Sequence, residues 1–273
     1  MPENKSLVFD KNGKQLTEEE MQERIEVLRK LIQDDKHLQV RTDVNWLTRF
    51  LYPTKFEPED AYKRMIDYYK LKAENPKFYF TESPNKMSHF LNTELKILLP
   101  DRDLNGRRVF ITKMGEVPNN MSLTDLINMD DIWMEAVLDE PETQKNGLSS
   151  IIDLSKTPWA ISKWLTPGNM RVGSKKADLV PFTDLQIHIV NTSPFLNAAI
   201  ALIFPFLSTH TKEHIHFHYT DWPSLHKFVN PDILPKEYGG TQEIDHDAIR
   251  EKYLYNNAST IVKNLSANYK LDL

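Results

Sequence analysis

The segment Pro194-Phe195-Leu196-Asn197-Ala198-Ala199-Ile200-Ala201-Leu202-Ile203-Phe204-Pro205-Phe206-Leu207 is apolar on nearly every face at helical spacing. A helix of this kind has to contact apolar material on every side. It is shorter than the roughly 20 residues that a membrane-spanning helix needs. It therefore predicts either a helix in the centre of the protein, or a lid that covers an apolar pocket with one face and meets a membrane with the other.

The rest of the composition is that of an ordinary globular protein of one large domain or two smaller ones, with 273 residues, 40% of them hydrophobic. A formal net charge of −5 argues against a general nucleic-acid binder, whose affinity comes from neutralising phosphates. The absence of cysteine excludes disulfides, thiolate metal sites and a cysteine nucleophile. The polar segment Met1 to Lys14 lacks the apolar stretch of a secretory signal, so we expect a cytoplasmic protein with at most peripheral membrane contact.

The first third of the chain has the periodicity of helices. Thr17 and Glu20 form the sequence pattern of a capping box, and apolar residues then recur along one face to about His37. Asp43 is placed to cap a second, short helix, and Pro58 lies near the start of a third.

From about Lys96 the pattern changes to short β-branched runs. Four such runs, at 108–112, 150–154, 185–190 and 215–219, are separated by helical segments at 123–140, 166–178 and 194–207. Strands that alternate with crossover helices predict an α/β domain with a mainly parallel sheet. The residues around Gly106 indicate a hairpin or a strand entry, and the segment from Asp245 to about Asn268 is predicted to be helical and polar.

Motifs of catalysis are missing from the sequence. The run from Gly168 to Lys175 resembles a phosphate-binding loop, but Ser174 takes the place of the required lysine and the glycines fall in a helical segment. There is no Gly-x-Gly-x-x-Gly and no Gly-x-Ser-x-Gly. The pair Asp130-Asp131 is a poor acid–base dyad, because sequence neighbours do not share a helix face. We therefore do not expect an enzyme.

Two groups of polar residues leave alternatives open. The histidines His188, His210, His214, His216 and His218 are most simply structural, although they could also form a metal site or a pH-sensitive contact. Since no Asp or Cys completes a familiar ligand set, we predict no metal site. A small basic group is either a solvated helix face or a contact for acidic lipid headgroups, and it consists of Arg171, Lys175 and Lys176.

Taken together, these segments resemble the CRAL-TRIO (Sec14-like) lipid-binding family, in particular its branch of α-tocopherol transfer protein and retinaldehyde-binding protein, including the insect members of that branch. The resemblance covers nearly the whole chain and rests on motifs that follow one another in the family's order. These are 41–51 with Lys55-Phe56 and Tyr68-Tyr69, 142–147 running into 152–154, 187–191, 205–207, 212–216 and 233–240.

The resemblance implies an all-helical amino-terminal domain (1–95) and a CRAL-TRIO α/β lipid-binding domain (96–273) with an apolar cavity and a mobile gate helix at 194–207. It implies that gate residues face the membrane when the gate opens: Phe195, Leu196, Ala199, Leu202 and Ile203. It also assigns the lining of the lipid pocket to Ile127, Met134, Leu148, Ile152, Leu165, Val180, Phe182 and Ile187.

Departures from that branch limit what the resemblance implies about the ligand. Where the branch holds phosphoinositide headgroups with basic residues, this chain has Tyr52, Thr183, Leu185, His210 and His214, which argues against phosphoinositide exchange. The two histidines, with Arg171, Lys175 and Lys176, are the remaining candidates for headgroup contacts. Hydroxyls that help to anchor tocopherol are replaced by Asp130 and Met134, so we expect a hydrophobic lipid of any of four classes: tocopherol, retinoid, carotenoid or juvenile-hormone-like terpenoid.

Two functions fit this sequence. The first is an intracellular carrier that binds one isoprenoid-like lipid and exchanges it at membranes by opening the gate. The alternative is a lipid-sensing interaction module that presents its surface to a protein partner, of unknown identity, depending on lipid occupancy.

Overall fold

The computed structural model describes residues 7–79 and 82–271, so residues 1–6 of the segment used for the secretion argument lie outside it. The amino-terminal part is helical, as predicted, with one very short strand, β1. Its elements are α1 (Glu18–Asp34), β1 (Leu38–Gln39), α2 (Val44–Leu51), α3 (Pro58–Glu74) and α4 (Ser88–Leu91).

The predicted helix starts are confirmed. The Thr17 hydroxyl accepts a hydrogen bond from the backbone N–H of Glu20, and the Glu20 carboxylate accepts one from the backbone N–H of Thr17, which completes the capping box of α1. The Asp43 carboxylate caps α2 by accepting from the backbone N–H of Trp46, and Pro58 is the first residue of α3. The apolar faces of these helices meet in one core that contains Leu28, Trp46 and Phe50.

A five-stranded sheet forms the centre of the second part. Its spatial order is β2 (Lys96–Arg102), β3 (Arg108–Lys113), β4 (Leu148–Asp153), β5 (Leu185–Val190) and β6 (Ile215–Tyr219). The strands β3 to β6 are parallel, and β2 is antiparallel to β3 through a tight hairpin in which Gly106 has a φ of +78°, a conformation that favours glycine. The mainly parallel α/β fold is thus confirmed, and the hairpin interpretation of the residues around Gly106 is correct.

The remaining helices either connect the strands or follow β6, and they cover both faces of the sheet. They are α5 (Leu123–Val137), α6 (Pro141–Asn146), α7 (Pro167–Leu179), α8 (Pro194–Ile203), α9 (Thr209–Glu213), α10 (Trp222–Leu225), α11 (His246–Arg250) and α12 (Ala258–Leu265). Short 3₁₀ turns occur at Trp159–Trp164 and directly after α8, at Phe204–Phe206.

The two faces of the sheet have different roles, because alternate residues of a strand point to opposite sides. On one face Ile111, Ile151 and Val190 join a solid core with Leu225 and Tyr238. On the other face, towards the carboxyl ends of the strands, apolar side chains form a floor that α7 and α8 cover. The floor consists of Ile152, Ile187, Ile189, Ile215 and Phe217.

The carboxyl-terminal segment is less regular than predicted. The expected helix from Asp245 to Asn268 is divided into α11, a π-helical turn at Glu251–Tyr255 and α12, and it is followed by β7 (Asn268–Tyr269). The strand β7 pairs antiparallel with β1, with Leu38 opposite Tyr269. Residues from the carboxyl-terminal segment therefore complete the amino-terminal core. A domain boundary between residues 95 and 96 does not account for this contact, and those domain limits stay a prediction.

Candidate functional site

A cavity of about 360 Å³ lies between the floor of the sheet, α7 and α8. Apolar side chains make up most of its wall. Besides the floor they include Met114, Leu154, Ile161, Leu165, Met170, Leu196, Ile200, Ile203, Phe204 and Leu207. A cavity with such a wall binds ligands chiefly by burying apolar surface.

The helix α8 closes this cavity without being buried itself. Its amino terminus is capped by Ser193, whose hydroxyl accepts from the backbone N–H of Leu196 at 3.2 Å. Within α8, all of whose residues are described, no side chain is buried. Leu196, Ile200 and Ile203 recur at helical spacing and face the cavity, while Leu202 is 76% exposed. The helix is therefore apolar on both its inner and its outer face, as the lid interpretation requires.

The structure divides the predicted gate residues between these two faces. Phe195 and Leu202 lie on the outer face, seven residues apart and thus on one side of the helix. Leu196 and Ile203 line the cavity in the conformation described, and Ala199 is half-buried. Contact of these three residues with a membrane when α8 opens stays a prediction.

The chain enters α8 through a held turn. Asn191 has a φ of +53°, a left-handed conformation that asparagine tolerates better than most residues. Its side-chain amide donates to the Asp153 carboxylate at 3.0 Å, and its backbone N–H donates to the Tyr219 carbonyl at 2.7 Å. Asp153 also accepts from the Tyr238 hydroxyl at 2.9 Å. Asp153 thus fixes the residue through which the chain enters α8.

A second cavity, of about 300 Å³, lies on the other side of α7, against α5. It shares three wall residues of α7 with the first cavity: Met170, Gly173 and Ala177. The two cavities are therefore neighbours separated by one helix.

The predicted pocket residues fall into three groups. Ile152, Leu165 and Ile187 line the cavity beneath α8. The second cavity is lined by Ile127, Met134 and Val180.

Leu148 and Phe182 line neither cavity; both are buried in a separate apolar core that also contains Phe110 and Trp133. Leu148 is the first residue of β4, paired with Leu185 at the start of β5, whereas the cavity lies over the later parts of these strands. The structure thus places both residues outside the two cavities described, and their contact with a lipid stays a prediction.

The sequence argument missed an aromatic residue on the outer surface. Trp159 is 68% exposed, and its ring lies 4.0 Å from the ring of Phe195, measured between centroids. With Leu202 these two residues form what we term the outer apolar patch (Trp159, Phe195, Leu202). The residue pair Pro158-Trp159, in a stretch too polar to form a core helix, is the signal that could have indicated it.

The candidate headgroup residues are not equivalent. Arg171 and Lys175 are exposed on α7, and the Arg171 guanidinium carbon lies 5.0 Å from the centroid of the Phe206 ring. The Lys176 ammonium instead forms an ion pair with the buried carboxylate of Asp131, and its side chain is largely buried. Lys176 is therefore not available for a lipid headgroup, contrary to prediction.

His210 is exposed, whereas the His214 ring is held by the carbonyl of His210, 2.7 Å from its Nδ1. At the other positions where the family branch carries basic residues, this chain has uncharged side chains that make different contacts. The Thr183 hydroxyl donates to the carbonyl of Gln144 at 2.6 Å, Leu185 lines the second cavity, and the Tyr52 ring packs edge-on against Phe56.

The remaining histidines lie on the sheet face opposite the cavity. His188 and His218 are buried and share a hydrogen bond of 3.0 Å between Nδ1 and Nε2, and His218 bonds the Ser224 hydroxyl at 2.8 Å. Burial lowers the pKa of His188 to about 3 and that of His218 to about 4, helped by the neighbouring imidazoles. No cluster of potential metal ligands is found among the described residues. This arrangement favours the structural alternative.

The carboxylates singled out on α5 also have structural partners. Asp130 forms an ion pair with Lys96, and Asp131 forms one with Lys176. The two carboxylates point to different partners, as expected for sequence neighbours on a helix. Within residues 7–79 and 82–271, no helix has both the length and the hydrophobicity to cross a membrane.

The sequence of this chain is similar to those of known proteins. The chain is 29% identical to Clavesin-1 from Rattus norvegicus over 206 residues, which cover 74% of this chain and 58% of that protein. It is 28% identical to Clavesin-2 from Homo sapiens over 205 residues, covering 74% of this chain and 63% of the relative. The chain thus spans about three fifths of the length of the curated relatives that it matches.

Solved structures show the same fold. The crystal structure of Sfh5 superimposes with a TM-score of 0.51 and 14% sequence identity, and the alignment covers 84% of this chain and 90% of that one. Residues 92–240 match the model of the CRAL/TRIO domain family. Placement in the tocopherol and retinaldehyde branch, or among its insect members, stays a prediction. Since the family match covers more than half of its residues, the chain belongs to the CRAL/TRIO family, whose fold binds hydrophobic small-molecule lipids.

Proposed function

We propose that this protein is an intracellular carrier, which binds a single isoprenoid-like lipid in the cavity beneath α8 and exchanges it at membranes when α8 moves. The observation that carries the proposal is α8 itself, a helix that closes an apolar cavity although none of its side chains is buried. Such a helix has few buried contacts that would hold it in place, which favours displacement over permanent burial.

The apolar wall explains why a moving lid is needed. Burying about 400 Å² of lipid surface stabilises the complex by on the order of 10 kcal/mol, before the cost of association is subtracted. Release of the lipid into water would therefore be slow. A carrier gains speed by opening where a membrane accepts the lipid, so that function depends on the equilibrium between closed and open positions of α8.

The outer apolar patch supports membrane contact at the lid. Trp159, Phe195 and Leu202 would enter the interface, and tryptophan is favoured there because it combines an apolar ring with a polar N–H. Arg171 and Lys175 are exposed nearby on α7 and would add attraction to acidic lipids. Tocopherol, retinoids, carotenoids and juvenile-hormone-like terpenoids all match an apolar wall.

Native mass spectrometry and vesicle assays test the proposal. Protein purified from its source and examined before and after organic extraction should contain one lipid per chain, which extraction removes. The reloaded protein should then move that lipid between vesicles without any protein partner, which distinguishes a carrier from a lipid-sensing module. Protein that takes up no lipid after extraction, or keeps it indefinitely in the presence of vesicles, would contradict the proposal.

A further inference from the structure

We propose that the lipid enters and leaves the cavity sideways, between the amino end of α8 and the segment 154–165, and that the rings of Trp159 and Phe195 close this passage. The inference rests on the proposed carrier function and specifies which side of the lid has to open. It follows from the position of a groove on the outer surface and from the unequal way in which the two ends of α8 are held.

A groove of about 290 Å³ lies on the outer surface beside the first turn of α8. One of its sides is formed by Ser193, Phe195 and Leu196, and the other side by the segment 154–165. The groove shares five wall residues with the cavity beneath α8, which are Leu154, Thr157, Ile161, Leu165 and Leu196. Of these five only Ile161 is buried, so a thin layer of partly exposed side chains separates the cavity from the surface at this point.

Two aromatic rings bridge the groove on its outer side. Trp159 and Phe195 come from opposite sides of the groove, and the centroids of their rings lie 4.0 Å apart. Both side chains are exposed, so their contact is not part of a buried core. Because an aromatic pair contributes only modest stability beyond the area that it buries, the two sides of the groove can separate at low cost.

The amino end of α8 is held mainly by bonds within its own turn. The Thr192 hydroxyl donates to the side-chain oxygen of Asn197 at 2.9 Å, and Ser193 caps the helix. Across the described part of the chain, no residue of another element forms a hydrogen bond with residues 192–199. The first turn of α8 can therefore tilt without losing a hydrogen bond to the rest of the protein.

The opposite side of the groove is also weakly constrained. Lys156 has a φ of +52°, which is uncommon for residues other than glycine, and the 3₁₀ turn at Trp159–Trp164 begins without a side-chain cap. Hydrogen bonds of a 3₁₀ turn have poorer geometry than those of an α-helix. Both sides of the passage can thus change shape locally.

The carboxyl end of α8 is joined more firmly to α7. The Asp178 carboxylate accepts hydrogen bonds from the hydroxyls of Ser208 and Thr211, at 2.8 and 2.9 Å, and the backbone N–H of Ser208 donates to the Ser174 hydroxyl at 2.8 Å. Hydrogen bonds to an ionised carboxylate are roughly twice as strong as those between neutral groups. Opening at the amino end therefore costs less than opening at the carboxyl end.

The passage opens where the proposed membrane contact lies. Trp159 and Phe195 belong to the outer apolar patch, which the carrier function places in the membrane interface. A lipid that moves between these two rings passes from an apolar cavity directly into an apolar layer. Its hydrocarbon surface is then never exposed to water, which is the costly step of release.

Two cross-links on opposite sides of α8 test the passage. The full chain has no cysteine, so Trp159→Cys with Phe195→Cys places a bismaleimide across the groove, and Arg171→Cys with Phe206→Cys places the same reagent between α7 and the turn after α8. The proteins are loaded with all-trans-retinol or α-tocopherol, whichever the unaltered protein retains, and transfer is measured to vesicles of phosphatidylcholine and phosphatidylserine. Relative to single-cysteine variants treated alike, the link across the groove should slow transfer by about tenfold or more, and the carboxyl-side link by less than about twofold.

Release in the absence of membranes provides a second measurement that needs no cross-link. Trp159→Ala removes one ring of the closure, so release of the same probe to methyl-β-cyclodextrin should accelerate by about twofold to tenfold, the effect of losing one aromatic pair. Phe206→Ala is the matched control on the carboxyl side, where the ring contacts Arg171, and it should accelerate release much less.

The outcomes separate the passage from the carrier function. Equal slowing by both links, slowing by the carboxyl-side link alone, or faster release in Phe206→Ala than in Trp159→Ala would overturn the passage and leave a carrier that opens elsewhere. Transfer that neither link slows would overturn the passage together with movement of α8. Retention of neither probe, combined with the absence of any lipid in the extraction experiment, would overturn both the passage and the carrier function.

Discussion

Leu202 is 76% exposed on the outer face of α8, although it belongs to one of the most apolar segments of the chain. Its neighbours at positions 200 and 203 face the cavity. Substitutions on the two faces of the same helix should therefore affect different steps, exchange at the membrane and retention of the ligand.

We predict that Leu202→Asp slows lipid transfer to vesicles by about tenfold or more, while the dissociation constant of a bound lipid stays nearly unchanged. Burying a leucine side chain in an apolar interface stabilises it by about 1.5–3 kcal/mol, which the aspartate forfeits. Transfer rates and equilibrium binding, measured on the same preparation, check this. The matched control Ile200→Asp should lose ligand binding, and equal loss of binding in both variants would contradict the two-faced lid.

The buried pair of histidines leads to a prediction about how stability depends on pH. His188 and His218 face one another, and His216, Phe228, Ser224, Asp221 and Arg107 surround them. Because their pKa values are about 3 and about 4 in the folded protein, both stay neutral where an unfolded chain binds protons, below about pH 6.5.

We therefore expect the free energy of unfolding to fall as the pH falls from about 6.5 towards 4, by up to about 1.4 kcal/mol per pH unit for each of the two groups. Urea unfolding at several pH values measures this. His188→Gln should flatten the profile in this range, and the exposed His210→Gln should leave it unchanged. An unaltered profile in His188→Gln would show that other groups cause the loss.

At the scale of elements, the rings of Trp159 and Phe195 join α8 to the 3₁₀ turn at Trp159–Trp164 on the outer surface. The Asp153–Asn191 hydrogen bond holds the entry to α8. Beyond its carboxyl end, the Ser208 hydroxyl donates to the Asp178 carboxylate of α7 at 2.8 Å. The helix is thus held by hydrogen bonds near both ends, while its inner side chains line the cavity in between. On the proposed function, these terminal bonds and the Trp159–Phe195 contact have to adjust when α8 moves.

A covalent link between the two outer elements should arrest transfer. Since the chain contains no cysteine, Trp159→Cys with Phe195→Cys supplies the only two thiols for a short bismaleimide. The linked protein should retain its lipid yet transfer it at least tenfold more slowly than either single-cysteine variant treated with the same reagent. Undiminished transfer by the linked protein would mean that α8 does not move away from Trp159 during exchange.

Elements were predicted well where local chemistry decides them. The capping residues Thr17 and Asp43 fix helix starts through bonds within a few residues, so the sequence suffices. The inner and outer faces of α8 could not be assigned from the sequence because every residue there except Asn197 is apolar, and only the position of the cavity distinguishes Leu196 from Phe195. Likewise Lys176 resembled Lys175 in sequence, and the buried Asp131 that engages it becomes visible only when α5 and α7 are packed together.

At the scale of the whole molecule, a buried arginine joins the helical part to the α/β part. Arg49 on α2 is 1% exposed and pairs with Glu135 and Asp139, each at 2.8 Å. Its guanidinium carbon lies 4.2 Å from the centroid of the Trp46 ring. Removing Arg49 alone is costly, because the carboxylates of Glu135 and Asp139 then lose their positive partner where water is largely excluded.

We predict that Arg49→Met lowers the free energy of unfolding by about 3–5 kcal/mol. Denaturant unfolding followed by circular dichroism provides the measurement. Lys63→Met, which removes an exposed ion pair with Asp67, is the control and should cost less than about 1 kcal/mol. Similar effects of both substitutions would show that the Arg49 pairs contribute no more than a surface contact.

The overall architecture could be predicted from the sequence, because the alternation of β-branched runs with helical segments extends over long stretches of the chain. The pairing of β1 with β7 was not, since each strand has two residues and no pattern of its own. Leu148 shows the same limit. Its burial among apolar residues could be predicted, but its position along the strand direction depends on the register of the sheet, which the sequence does not show.

The pairing of β1 with β7 also affects the order in which the chain folds during synthesis. Leu38 and Gln39 leave the ribosome more than 220 residues before their partners Tyr269 and Asn268. Although the amino-terminal helices can form early, their core is completed by Ala267 only after the whole α/β part has been made. These helices are therefore sealed later than the sheet that follows them, which leaves them open to chaperones until then.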